Sequence, residues 1–388
     1  MAIQGLTRRR NWRHFCRHET HHHDPRHAPI LGPLLDKPLH PKRFDSMVSI
    51  IIPCFNERQH IALCVRSLLR QVPPPGGLEV IVVDGLSTDG TREIIKDLCA
   101  HHHELRLIDN PAHITPCAMN AGIRESRGRY VAILGAHCHY AEDYLRTCIE
   151  LLDEHPEASC AGGPIVSEGR SMFGRAVAAA MSHPAGIGNA KHRHPDYEGY
   201  AEGACYPVFR RQVFDQIGFY DENLVRNQDD ELNFRLTKSG AKIFLSPRAR
   251  ATYFVRETVR ALFRQYFQYG YWRVAVLRKH RTPASLRQLV APAFMSCLIV
   301  CFILGTLLPG LPGLAALAVP ALYGTTLFGA GILQAGRLGL KVSLLFPLAA
   351  ATMHMAYAAG FGWGLVTRAK STAPSVSSAK KTISSQFC

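Results

Sequence analysis

Met47–Arg92, MVSIIIPCFNERQHIALCVRSLLRQVPPPGGLEVIVVDGLSTDGTR, decides the fold. Val48–Pro53 is apolar, β-branched and stopped by proline, the pattern of a parallel strand covered on both faces. Val80–Val83 repeats it. Between them Ile61, Cys64, Val65, Leu68 and Leu69 recur at helical spacing, which predicts an amphipathic crossover helix and so a βαβ unit. Ligands of open α/β sheets sit beyond the carboxyl ends of the strands. Asn56 and Glu57 follow the first strand and Asp84 ends the second, placing three polar groups at that edge. A plainer reading of the same residues is an ordinary βαβ unit whose Asp84 and Asp89 only cap turns and helix starts.

Together, IIPCFNE and VVDGLSTDGT resemble the opening signature of the family 2 glycosyltransferases, inverting enzymes that use nucleotide-diphosphate sugars. The resemblance implies an α/β fold of the GT-A nucleotide-diphospho-sugar transferase type. Carried over residue by residue, it implies a uracil and ribose pocket lined by Pro53, Asn56, Glu57 and Asp84. Asn120, on the helix expected through Pro116, Ala118 and Ile123, matches an Asn that the family holds beside the sugar diphosphate; helix-face polarity is its other reading.

Tyr130–Leu134 reads as the next buried strand and runs into Gly135-Ala136-His137. Here the family carries an Asp-x-Asp motif whose carboxylates hold Mg²⁺ or Mn²⁺ against the diphosphate. The chain departs from it. Gly135 replaces the first Asp, while His137 agrees with a subgroup resembling succinoglycan β-glucosyltransferases. Imidazole suits Mn²⁺ better than Mg²⁺. Three outcomes stay open: a divalent cation held weakly with His137, leaving-group charge met by basic side chains, or an impaired protein.

Tyr197–Arg211 resembles the acceptor-side strand of the family, in which Gly203, Ala204 and Cys205 let a sugar approach the backbone. Asn227–Arg235, NQDDELNFR, is similar to the family's Glu-Asp-x-Asp-Leu-x-x-Arg pattern. The match assigns the catalytic base to Asp229 and puts Glu231 and Arg235 on the acceptor side. An inverting displacement needs one carboxylate to take the acceptor hydroxyl proton. An acidic helix start complementing the macrodipole is the structural alternative.

Leu289–Leu308, Leu311–Leu333 and Val342–Val366 contain no Asp, Glu, Lys or Arg and approach the ~20 residues that cross a bilayer. Two or three spans are expected, because Arg368, Lys370, Lys380 and Lys381 would fall outside if all three crossed from a cytoplasmic domain. The Gly- and Pro-rich middle run is the one expected to be re-entrant or interfacial. Arg256–Arg281 interleaves aromatic and basic residues, as an interfacial amphipathic helix does; its QYGYWR also loosely resembles an acceptor-end element of processive synthases.

The organisation expected is a flexible basic arm (1–46), a catalytic domain (47–255), an amphipathic segment (256–287), a membrane region (288–368) and a polar tail (369–388). The net charge of +15 concentrates in the arm and in Arg235–Arg287, where anionic lipid is the fitting partner. No nucleic-acid module accompanies it. The arm lacks the apolar core of a secretory signal. Twelve cysteines without a Cys-x-x-Cys pair suggest reduced thiols and a cytoplasmic catalytic domain at the inner membrane. His21–His23 and His101–His103 read as surface composition, since three consecutive histidines cannot converge on one ion from a regular element.

The function implied is transfer of a hexose, such as glucose from UDP-glucose, to a lipid-linked oligosaccharide of an exopolysaccharide. A processive synthase and a catalytically silent scaffold are the alternatives.

Overall fold

A computed structural model describes residues 47–136, 138–283 and 285–367. The opening stretch forms the expected unit of β1 (Val48–Cys54), α1 (Ile61–Leu69) and β2 (Leu78–Asp84). The parallel register sets Cys54 opposite Asp84, so both strands end at one level and the polar residues that follow them meet. Two further crossovers extend the unit: α2 (Thr91–His101) to β3 (Leu105–Asp109), and α3 (Thr115–Glu125) to β4 (Tyr130–Ile133).

These strands are apolar on both faces because helices cover both. Val48, Ile50 and Ile52 face α1 and α2, while Ile51, Ile81 and Val83 face α3. Each such side chain contributes about 1.5–3 kcal/mol by leaving water. Gly122 is required on α3, since a Cβ there would lie 2.4 Å from Ile51 Cγ2.

The second half adds β5 (Cys138–Tyr140), α4 (Tyr144–Glu154), β6 (Ala158–Gly162), β7 (Ile165–Glu168), α5 (Met172–Met181) and α6 (Pro184–Ile187). After these come β8 (Gly199–Ala201), β9 (Val208–Arg210), α7 (Gln212–Ile217), α8 (Gln228–Lys238), β10 (Lys242–Leu245) and β11 (Ala251–Phe254). The main sheet runs β3-β2-β1-β4-β9-β6-β10-β8, and β5-β11-β7 form a small second sheet. β9 is antiparallel to both β4 and β6.

The expected acceptor-side strand is not continuous. It divides into β8, paired with β10, and β9, paired with β4 and β6. Between them Tyr206 sits at φ +67, in the left-handed region that strands do not use.

The carboxyl-terminal third is helical: α9 (Val259–His280), α10 (Arg287–Leu307), α11 (Leu311–Ile332), the short α12 (Ala335–Leu338) and α13 (Leu340–Ser343), and α14 (Phe346–Val366). Three stretches, Gln288–Leu307, Leu311–Ile332 and Leu340–Val366, are long and apolar enough to cross a membrane. α11 runs unbroken despite Pro320. The amphipathic helix α9 packs along α14 at a glycine seam: a Cβ on Gly270 would lie 2.0 Å from Tyr357 O, and one on Gly360 1.9 Å from Phe267 O. Small residues at such a seam let two helix backbones approach closely. Arg278 then donates to Leu365 O and Thr367 O, capping the end of α14.

Candidate active site

The strand ends of β1 and β2 are joined by a dense local network. Asp84, fully buried, accepts from Ser87 N (2.9 Å), Ser87 Oγ (2.5 Å) and Arg92 Nη1 (2.7 Å). Asn56 N donates to Ser87 Oγ, and Thr88 N to Asn56 Oδ1. Glu57 N donates to Thr91 Oγ1 at 2.8 Å, which carries the start of α2 to the same edge. Asn56 holds this turn at φ 54, where Asn is among the residues that tolerate a left-handed backbone.

Beside this edge lies a cavity of about 300 Å³ lined by Pro53 and Glu57 from the end of β1, Gly135 after β4, Ala204 and Tyr206 from the β8–β9 turn, and Asp229 of α8. Thus four of the expected site residues, Pro53, Glu57, Ala204 and Asp229, meet in one space with Gly135.

Asp229 stands in the first turn of α8, where the helix dipole favours a carboxylate. Its carboxyl is pushed up to about 6, first by the protein around it and then by the Asp230 charge alongside. Solvent still reaches it through the cavity, so substrates that expel this water would sharpen the effect. α9 anchors this start of α8 from behind. Asn227 Nδ2 donates to Tyr269 O (3.0 Å), and Arg273 Nη2 pairs with Asp230 Oδ2 (2.5 Å).

The other expected residues lie off the cavity lining. Asn56 and Asp84 belong to the network described above. Asn120 is buried and clamps the loop before α8, donating to Tyr220 O and accepting from Tyr220 N. Gly203 makes room for α8, since a Cβ there would meet Asn233 Nδ2 at 2.9 Å. Glu231 is fully buried among Arg235, Lys279 and His280. Burial pushes its carboxyl up, but Arg235 and Lys279 more than offset that and hold it below the usual range. Arg235 also donates to Ile217 O and Phe219 O, so this pair ties α7, α8 and α9 together. The expected ligand His137, the arm 1–46 and residues 368–388 lie outside the described residues.

The sequence model of glycosyl transferase family 2 matches residues 49–218. The succinoglycan biosynthesis protein ExoA of Rhizobium meliloti is 32% identical over 317 residues, covering 80% of this chain and 93% of that protein. The chain belongs to glycosyl transferase family 2. A second relative, from Methanococcus voltae, is named dolichyl N-acetyl-alpha-D-glucosaminyl phosphate 3-beta-D-2,3-diacetamido-2,3-dideoxy-beta-D-glucuronosyltransferase; it is 27% identical over 60% of this chain and 75% of its own length. Among solved structures, a mannosyltransferase from Pyrobaculum calidifontis in complex with GDP-Man and Mn²⁺ shares the fold, with TM-score 0.54 and 20% identity over 83% of this chain and 91% of that one.

The end of the cavity at Gly135, where the resemblance implies a metal, lacks the expected first Asp. Among the described residues no three His, Cys, Asp or Glu side chains gather as ion ligands. The atoms nearest a Cβ at Gly135 would be those of Tyr206, Cys138 and Tyr140, at 3.4–3.9 Å, a setting with room for a side chain. The described donor set does not fit an Mg²⁺ or Mn²⁺ site.

What does line the cavity, and was not expected there, is basic and aromatic: Arg193, Arg226, Arg256, Tyr253 and Tyr269. Arg226 immediately precedes the recognised NQDDEL segment and was within reach of a motif reading. Arg193 and Tyr253 carry no local signal, because they join the site only through the tertiary fold. Tyr269 belongs to QYGYWR, so α9 contributes to the cavity as well as packing on α14.

Proposed function

We propose that this glycosyltransferase moves a hexose, with glucose as the leading candidate, from a UDP-sugar to a lipid-linked oligosaccharide with inversion, in exopolysaccharide biosynthesis. The observation that carries the reading is Asp229: a carboxylate open to the cavity, next to the nucleotide edge, with its pKa raised toward neutrality. General bases work best with a pKa near the operating pH. In the proposed reaction an acceptor hydroxyl gives its proton to Asp229 as its oxygen attacks the anomeric carbon. The bond from that carbon to the β-phosphate oxygen breaks on the opposite face, and UDP leaves with the electron pair.

The nucleotide part of the donor is assigned to the edge built by Pro53, Asn56, Glu57 and Asp84, and the acceptor to the side of Gly203, Ala204 and α8. A lipid-linked acceptor is supported by the membrane-length helices and by the dolichyl phosphate in the name of the Methanococcus voltae relative; exopolysaccharide is supported by the name of the Rhizobium meliloti one. The free cysteines among the described residues suit a catalytic domain on the cytoplasmic side of a multi-pass inner-membrane protein.

The test is transfer from radiolabelled UDP-sugars in membranes containing the protein. A short lipid-extractable product is expected. Long polymer would point to a processive synthase, and no incorporation from any UDP-sugar would overturn the reading.

A further inference from the structure

The cavity lined by Asp229 and Glu57 is also lined by three arginines, from three separate segments. Arg193 closes a short 3-10 turn (Lys191–Arg193), Arg226 precedes α8 and Arg256 follows β11. Arg193 Nε and Nη1 are shielded from solvent and have no hydrogen-bond partner among the described residues. Its guanidinium lies 5.7 Å from the centre of the Tyr253 ring, which holds the group by cation–π attraction without using its donors.

Donors kept from water and left unpaired cost the fold free energy until a ligand arrives. The matching ligand is an oxyanion with several acceptors, since a guanidinium presents parallel N–H groups to phosphate. Gly135, which stands at the first position of the Asp-x-Asp motif that the resemblance implies, with His137 at the third, lines this same cavity.

We propose that Arg193, Arg226 and Arg256 are a diphosphate receptor, supplying the positive charge that stabilises the diphosphate leaving group. Assignment to the UDP of the donor rests on the function proposed above. The lipid carrier of the acceptor, if joined through a diphosphate, presents the same chemistry, and the experiment separates the two sources.

Calorimetry on the full-length protein in detergent, with EDTA throughout, would measure UDP, uridine and farnesyl diphosphate against wild type, Arg193→Gln and Arg193→Lys. Wild type is expected to bind UDP more tightly than uridine without metal. Arg193→Gln should weaken UDP about 10- to 100-fold, the worth of a hydrogen bond to a charged group. Uridine affinity should stay unchanged, which also reports an intact nucleotide edge, and Arg193→Lys should recover part of the loss. A loss confined to farnesyl diphosphate would keep the receptor and move it to the acceptor. Unchanged affinity for both diphosphates in Arg193→Gln would overturn the proposal. So would a preference for UDP over uridine that exists only when Mn²⁺ is added. If wild type binds neither uridine nor UDP, the donor assignment fails instead, and the farnesyl diphosphate comparison alone judges the arginines.

Discussion

The two rims of the cavity are built in opposite ways. Behind the rim proposed to hold the nucleotide, the buried carboxylate Asp84 has three donors, all from residues within eight positions of it. At the base rim Asp229 has its pKa raised, while the neighbouring Gln228 Oε1 and two nitrogens of Arg193 have no hydrogen-bond partner among the described residues. A satisfied network gives a rigid surface that a ligand can read without rearrangement. An unsatisfied one stores polar capacity that only substrates can use. Under the proposed function this gives a division of labour: shape at one rim, chemistry at the other.

Asp229→Asn should separate the rims most strongly. The amide keeps the size and hydrogen bonding of the carboxylate but cannot take a proton. Turnover is expected to fall ~10²- to 10⁴-fold, the usual worth of a general base, with UDP affinity by calorimetry nearly unchanged. If Asp230→Asn is inactive and Asp229→Asn is not, the base lies one residue along.

The base rim also depends on the membrane half, because α9 holds it through Tyr269 and Arg273 and α14 holds α9. Gly270→Leu would drive a Cβ toward Tyr357 O, main chain that cannot step aside, so the two helices must part. Overpacking of this kind costs about 1–3 kcal/mol or more. Lower thermal stability and lower turnover are expected, with UDP affinity spared. Equal losses of UDP affinity and turnover would show that the rims are one unit.

Asp84→Ala should act on the other rim. Removing the carboxylate unties Ser87 and Arg92 and weakens the nucleotide edge by about 1.5–3 kcal/mol, a hydrogen bond to a charged group. The loss belongs in UDP affinity and KM, with kcat little changed. Unaltered affinity would take Asp84 out of nucleotide recognition.

The same contrast explains what the sequence made legible. The strand-end placement of Pro53, Asn56, Glu57 and Asp84 is readable because strand period, strand ends and turn residues are local properties, and the parallel register of one βαβ unit then brings the two ends together across 31 to 34 residues. Asp229 was legible through a motif at a helix start. The positions of Asn120 and Glu231 were not, because a polar residue on a helix reads alike whether it faces a ligand or clamps a loop. Asn120 holds the Tyr220 backbone and Glu231 holds α9, partners 100 and 49 residues away. The break between β8 and β9 had only a weak local signal: Gly203 and Pro207 flank it, but the left-handed residue itself is Tyr206, not a glycine. Arg193 reaches the cavity only by tertiary placement, which no window of sequence contains.

The smallest expected effect, and the finest test of the base rim, is on pH dependence. Asp229 titrates near 6, so kcat/KM should rise with pH through that value as the base loses its proton, and activity should be lost below it. Arg273 opposes the upward shift of Asp229 and neutralises Asp230, the charge that contributes to it. Arg273→Gln removes both restraints, so the acid limb should move upward, by up to about one unit for the loss of a nearby opposite charge. At pH 7 a base so shifted would still be about half ionised, so the rate there should change by roughly twofold at most from this cause. Arg273→Lys, keeping the charge, should leave the limb near its wild-type position. A profile that loses amplitude in Arg273→Gln without moving along the pH axis would mean that Arg273 only props α8 against α9. An acid limb that stays put in both variants and disappears in Asp230→Asn would transfer the titration from Asp229 to its neighbour.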